Sequence, residues 1–193
     1  MLDRSKRAGT SLFLEGEPID KVYFLKRGLV SLSRAVDARA SGVWTVRRPG
    51  SVLGLEGMSR DTYLDSARAV SDVVVCVASL ESVRAWLASR ADAAFAMLGC
   101  VVRAQCTDAP RRAGADGSSV VRVATWLLDP DAQAQAVGVP RAVVANLLGM
   151  EPETLSRALA VLARRGLIEV GRKKVAVLDS LALRRVADTA DAP

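Results

Sequence analysis

Histidine is absent from the 193 residues. That removes the commonest general base, the usual zinc ligand and the usual haem ligand together. There is also no glycine-rich phosphate loop, no Gly-x-Ser-x-Gly elbow and no nucleophile with a base beside it. An enzymatic role, a metal site and a bound cofactor are therefore not expected. The three cysteines, Cys76, Cys100 and Cys106, show no CxxC spacing, which excludes the pattern of a secreted disulfide scaffold and predicts buried or partly buried thiols. No apolar run approaches the roughly 18 residues of a membrane helix. The opening Met-Leu-Asp-Arg-Ser-Lys-Arg has charges with no apolar stretch behind them. The expectation is a cytoplasmic protein with no membrane partner.

What is present is a basic chain, with net charge +6 and a pI near 9.7, of a length that suits two small domains. The charge is local: between Ala136 and Leu178, seven Arg or Lys face only three Glu. The same region carries the clearest pattern, VPRAVVANLLGMEPETLSRALAVLARRGLIEV from Val139 to Val170. Arg141 to Leu148 is a short helical run, Gly149 supplies a sharp turn, and Pro152 opens a second helix where its missing N–H costs nothing. Val144, Leu148, Met150 and Leu155 predict a mini-core, with Ala145 small enough to let the helices cross closely. At about 100° per residue, Leu155, Leu159 and Leu162 share one face. Glu153, Arg157, Ala160 and Arg164 face the other way, with Ser156 at the margin. Two short apolar strands follow, Gly166–Val170 and Val175–Leu178, joined by the basic tip Gly171-Arg172-Lys173-Lys174. This reads as a winged helix-turn-helix with a free face for double-stranded DNA and a tip for phosphates.

Upstream, residues from Leu12 to about Ala78 read as short strands, with Val30 and Leu32, then Trp44 and Val46, alternating with polar residues. Turns are signalled at Gly16-Glu17-Pro18, Ser41-Gly42 and Pro49-Gly50. Many short strands predict a small β-roll or barrel. Ser79 can cap a helix through Val83, Trp86 and Leu87, and Asp92 a further one whose apolar stripe includes Phe95, Leu98, Val102 and Cys106. That stripe packs either on the roll or on the same helix of a second subunit. Pro110, Gly114 and Gly117 predict that the helix stops near Thr107 or kinks, making this stretch the domain junction. Val120 to Leu128 is a helix covering the back of the helix-turn-helix, and Leu181 to about Ala187 is a terminal helix.

In this order the elements resemble the CRP/FNR (catabolite activator and fumarate-nitrate regulator) family over nearly the whole chain. The residues that carry the likeness are Gly16-Glu17-Pro18 with Val22 to Gly28, Pro49 to Gly54, Gly149 to Arg157, Leu162, and Gly166 to Ile168. The resemblance implies an α+β fold: an N-terminal β-roll of the cyclic-nucleotide-binding, jelly-roll type (1–79), a dimerisation helix and hinge (80–118) and a C-terminal winged helix-turn-helix (119–193). It implies a homodimeric transcription regulator, activating by the family's commoner habit, with RNA polymerase as a possible partner. Fumarate-nitrate-type members place Glu, Ser and Arg to read a TTGA-like half-site, and Glu153, Ser156 and Arg157 stand at those positions. Arg157 can pair bidentately with guanine O6 and N7, Glu153 can accept from a cytosine amine, and Ser156 can contact a neighbouring base. Arg141, Thr154, Arg164, Arg172, Lys173 and Lys174 are assigned to the DNA backbone, and Phe95, Leu98 and Val102 to the dimer helix.

The ligand cassette departs from the family. Members that bind cyclic AMP carry Gly-Glu at its start and Arg followed by Ser or Thr near its end. Here Gly54 is followed by Leu55 and Glu56, and Tyr63 and Leu64 replace the cation and the hydroxyl. Glu56, with Arg60 or Arg68, could substitute from shifted positions. The iron–sulfur branch uses four cysteines and the haem branch uses histidine, and neither set is present. The implied pocket is degenerate, and DNA binding without cyclic AMP is expected. The alternative is a regulator whose DNA binding depends on a small molecule, or on thiol redox at Cys100 or Cys106.

Overall fold

Alternation of apolar and polar side chains builds the N-terminal half of the chain. A computed structural model describes residues 2–37, 40–113, 118–129, 138–171 and 175–188; the side chains of 36–41 and 103–113 are not described. The chain divides into two compact units, Met1–Asp108 and Ala109–Pro193. The first holds strands β1 (Leu2–Lys6), β2 (Ser11–Phe13), β3 (Lys21–Arg27), β4 (Val30–Asp37), β5 (Ala40–Arg47), β6 (Val52–Leu53), β7 (Ser66–Ala69) and β8 (Val73–Ser79). They form two four-stranded sheets, ordered β1-β8-β3-β6 and β2-β7-β4-β5, with every pairing antiparallel. Tyr23, Leu25, Val73 and Val75 of one sheet share a core with Phe13, Val30, Leu32 and Ala67 of the other. The expected roll is present.

Two details of the roll differ from the sequence reading. The roll starts at β1 rather than at Leu12, because Leu2–Lys6 pairs with the outer edge of β8 although all five of its residues are exposed. Ser41 and Gly42 are not a turn. They lie inside β5, opposite Ala35 and Arg34 of β4, and Asp37 pairs with Ala40 at the hairpin end. Register shifts on either side of Ser33–Ala35 absorb the glycine within the ladder.

Ser79 caps helix α1 (Leu80–Ser89), its hydroxyl accepting from the Ser82 amide at 3.1 Å. Helix α2 follows as Ala91–Ala113, and Asp92 sits in its first turn, where its carboxylate accepts from Arg90 at 2.9 Å, instead of preceding it as a cap. The expected stop near Thr107 is not observed. Pro110 removes one N–H, which would have met the Cys106 carbonyl, and the helix continues past it to Ala113.

The second unit contains α3 (Ser119–Leu128), α4 (Arg141–Leu147), α5 (Pro152–Arg164), the antiparallel pair β9 (Ile168–Val170) and β10 (Val175–Val177), and α6 (Ser180–Asp188). Its core joins Val123 and Leu127 of α3, Val144 and Ala145 of α4, Leu155, Leu159 and Leu162 of α5, and Leu183 of α6. The predicted apolar face of α5 is thus its buried face. Asp179 caps α6 by accepting from the Ala182 amide at 2.9 Å.

Leu162 is fully buried. Leu162→Ala is expected to cost about 2–5 kcal/mol of the second unit's stability, read from its denaturant midpoint. Lys26→Ala, which removes the exposed ion pair with Asp3 at 2.8 Å, is expected to leave the first unit's midpoint unchanged.

Candidate nucleic-acid interface and the roll interior

The interface is built on the turn between α4 and α5. Gly149 has φ +60°, a left-handed conformation that ends α4. Its amide donates to the Asn146 carbonyl at 2.9 Å and the Met150 amide to the Ala145 carbonyl at 3.0 Å, so the last carbonyls of α4 are used by the chain that leaves it. Ala145 is completely buried, as a close helix crossing requires. Pro152 occupies the first turn of α5, where an amide would have had no helical partner.

With one face of α5 buried, the other is open. Glu153, Ser156, Arg157, Ala160 and Arg164 are all exposed. Arg157 donates from Nη2 to the Thr154 hydroxyl at 3.2 Å, and Ser156 donates to the Pro152 carbonyl at 2.9 Å. Thr154, assigned to the DNA backbone from sequence, is in this structure the half-buried neighbour that steadies Arg157. Arg141 is exposed at the start of α4. Arg172, Lys173 and Lys174 lie outside the described residues. Breaking this one exposed contact frees the Arg157 guanidinium, whose fork matches a guanine edge or a phosphate.

In the roll, Gly54 has φ +84°, and a Cβ there would lie 2.6 Å from the Lys21 carbonyl oxygen and 3.3 Å from the Tyr63 ring. Leu55 and Glu56 continue from it as a 3₁₀ turn, Leu55–Met58. Tyr63 points into the core. It is 3% exposed, stacks on Phe13 with ring centroids 3.8 Å apart, and donates its hydroxyl to the Lys21 carbonyl at 2.8 Å. Burial pushes its phenol well above the usual tyrosine range, with the neighbouring Tyr23 adding to the shift. Leu64 is partly exposed, and its carbonyl accepts from Arg34 Nε at 3.2 Å.

None of Gly54, Leu55, Tyr63 and Leu64 brings a cation to this place, and Glu56 brings an anion. Of the shifted substitutes, Arg68 donates to the Gly9 carbonyl at 2.7 Å and Arg60 is exposed. The sequence reading missed Asp65, which is buried and accepts from Trp44 Nε1 at 2.8 Å and Arg34 Nε at 3.0 Å. That cluster joins β4 and β5 to the chain before β7 through contacts 21 and 31 residues apart, a distance at which no local spacing reveals them. A groove of about 920 Å³ opens in this unit, and none of the five cassette residues lines it. Leu12, Tyr23, Val77 and Leu80 are among its apolar lining, with Arg4, Lys6 and Glu81 among its charged groups.

On α2, Phe95, Leu98 and Val102 are 74, 57 and 48% exposed, so packing on the roll does not cover them. Cys100 is a half-buried thiol on the same helix and Cys76 a buried one; the Cys106 side chain lies outside the described ones. Among the described residues no group of three or more Cys, Asp or Glu is placed to hold a metal, and no single helix is long and apolar enough to cross a membrane.

Residues 3–90 match the cyclic nucleotide-binding domain family and residues 121–186 the Crp-like helix-turn-helix domain family. The chain is 27% identical to the transcriptional activator protein anr of Pseudomonas aeruginosa, over 95% of this chain and 80% of that protein. It is 26% identical to a CRP-like cAMP-activated global transcriptional regulator of Mycobacterium tuberculosis, over 93% and 85%. FixK2 of Bradyrhizobium japonicum shares its fold, with a TM-score of 0.77 at 24% identity over 100% and 98% of the two chains.

Tyr63→Phe leaves the Lys21 carbonyl without its donor and is expected to cost about 1 kcal/mol near pH 8. Because burial raises the phenol's pKa in the folded chain, Tyr63 contributes its stability below its unfolded value of 10.0 and loses it as pH rises above that. The gap between wild type and Tyr63→Phe should therefore close between about pH 9 and about pH 11, as read from paired urea titrations.

Proposed function

We propose, for a chain that belongs to the CRP/FNR family of transcription regulators, that it acts as a homodimer on a pseudo-palindromic, TTGA-like DNA site without cyclic AMP. Each protomer seats α5 in the major groove, with half-sites about 34 Å apart. The observation that carries this reading is the outer face of α5, where Glu153, Ser156 and Arg157 are exposed together over a fully buried inner face. Arg157 reads guanine, Glu153 a cytosine amine and Ser156 a neighbouring base. Arg141, Arg164 and the wing residues Arg172, Lys173 and Lys174 hold phosphates and supply the salt dependence. Phe95, Leu98 and Val102 of α2 meet their copies across the two-fold axis.

Independence from cyclic AMP is supported by the roll interior. The cyclic phosphate is an anion and requires a fixed cation, whereas the cassette presents an uncharged, core-packed Tyr63 at the place the family gives to arginine. The output is activation, by contact with RNA polymerase, in the cytoplasm where bacterial DNA is transcribed. The name of the Pseudomonas relative, an activator, supports that sign.

Selection of bound sequences from random DNA by the purified chain, with no ligand added, should enrich a palindrome with TTGA-like arms. Enrichment of none would overturn the reading. Arg157→Ala should lower affinity for the enriched site by roughly 5- to 150-fold and relax the position it reads. Lys173→Ala should weaken all sequences alike and reduce the salt slope by about one. Calorimetry with cyclic AMP should show no binding; micromolar binding that raises DNA affinity would favour the signal-dependent alternative.

Phe95→Asp should yield a monomer in sedimentation. It should lose affinity for the whole palindrome and keep its affinity for an isolated half-site. A dimer that survives the charge would remove α2 as the interface.

A further inference from the structure

We propose that Arg122 is a positioning residue for DNA reading: from α3 its guanidinium clamps the carbonyls of the turn between α4 and α5, fixing how α5 presents its outer face. The proposal rests on the DNA-binding reading above and adds to it a residue that touches no base. Arg122 lies on the same helix as Val123, Ala124 and Leu127, which are buried in the core of the second unit. Its Nη2 donates to the Leu148 carbonyl and, at 2.8 Å, to the Gly149 carbonyl.

The turn's own bonds explain why those two oxygens are available. The Ala145 and Asn146 carbonyls accept from Met150 and Gly149. Leu148 and Gly149 come after the last helical residue, so their carbonyls project from the turn and have no helical donor. A cation that meets both lies at the negative end of α4 and makes charge-assisted bonds. Pro152, the first residue of α5, is three residues beyond Gly149, so the clamp holds the backbone from which Glu153, Ser156 and Arg157 spring.

The Arg122 Nε is buried with no hydrogen-bond partner among the described residues. A buried donor without a partner opposes folding, so the side chain is held here by what its Nη2 does rather than by a fully satisfied site. Base-edge pairing depends on where the reading side chains are held, while long, flexible Lys and Arg still find phosphates when a helix shifts. Loosening the turn therefore acts on sequence preference before it acts on affinity for DNA in general.

The test uses the full chain and the palindrome that the wild type enriches, alongside an unrelated duplex of equal length. Arg122→Met, which keeps the aliphatic stem, should lower affinity for the palindrome by roughly 10- to 100-fold and leave affinity for the unrelated duplex within about 3-fold. Arg122→Lys, whose ammonium can also donate to two carbonyls, should recover most of the loss. Equal loss on both duplexes, no loss on either, or a lysine variant no better than methionine overturns the proposal. If Arg122→Met lacks a cooperative unfolding transition, Arg122→Gln replaces it on the same criteria. If neither folds, Arg122 is a determinant of stability and the proposal falls. A wild type that prefers no palindrome overturns the DNA reading itself, and that result is seen before any variant is made.

Discussion

The left-handed turn at Gly149 sets how α5 leaves α4 and so how its outer face is presented. A side chain at φ +60° is disfavoured for any L residue with a Cβ, and the sharp end of α4 depends on that φ. With it, the amides of Gly149 and Met150 return to α4, Ala145 is brought into the crossing, and Pro152 starts α5 at once. The angle between the helices is then held by two independent means. One is the apolar seam of Val144, Ala145, Leu155 and Leu159, which is tolerant of small slips because dispersion is not directional. The other is the Arg122 clamp, which is directional. A rigid reading head uses both, since packing sets the distance and hydrogen bonds set the orientation.

The backbone features of the roll do not by themselves supply binding chemistry. Its sheets, its left-handed Gly54 and its 3₁₀ turn follow from β-pairing and from the close approach of Gly54 to the Lys21 carbonyl. None of these carries charge. Recognition of a cyclic nucleotide would require a cation held inside the roll, and burial without a counter-charge disfavours one. Tyr63 has its ring stacked on Phe13 and its hydroxyl satisfied by the Lys21 carbonyl, contacts internal to the unit. The unit also has an open groove lined by strand residues and by the start of α1.

Much of this was legible in the chain, and what was legible was local. The α5 stripe at 3.6-residue spacing, the Gly149 and Pro152 punctuation, and the Ser79 cap each depend on residues within one or two turns. Each of these is found in the structure. The misses were long-range or cooperative. β1 looks like a polar leader until β8, some 70 residues later, supplies its ladder. Gly42 reads as a turn until β4 pairs with it. Pro110 reads as a stop or a kink, and α2 continues past it to Ala113. Asp65 and Arg122 were invisible for the same reason: their partners are 21 to 31 and 26 to 27 residues away.

The exposed stripe of α2 sets a physical condition on the dimer proposed here. Phe95, Leu98 and Val102 would bring six side chains to a two-fold interface, each supplying about 1.5–3 kcal/mol if fully buried. Association costs about 4–15 kcal/mol before any surplus appears as affinity. The two quantities are of the same order, so this stripe by itself makes a dimer whose population responds to small changes in what surrounds it. A palindrome engages two α5 helices only when the dimer holds both, and binding at one half-site raises the effective concentration of the other. Dimerisation and DNA binding are then linked in both directions. Such linkage is a route by which occupancy of the DNA can be controlled through the dimer rather than through a ligand in the roll.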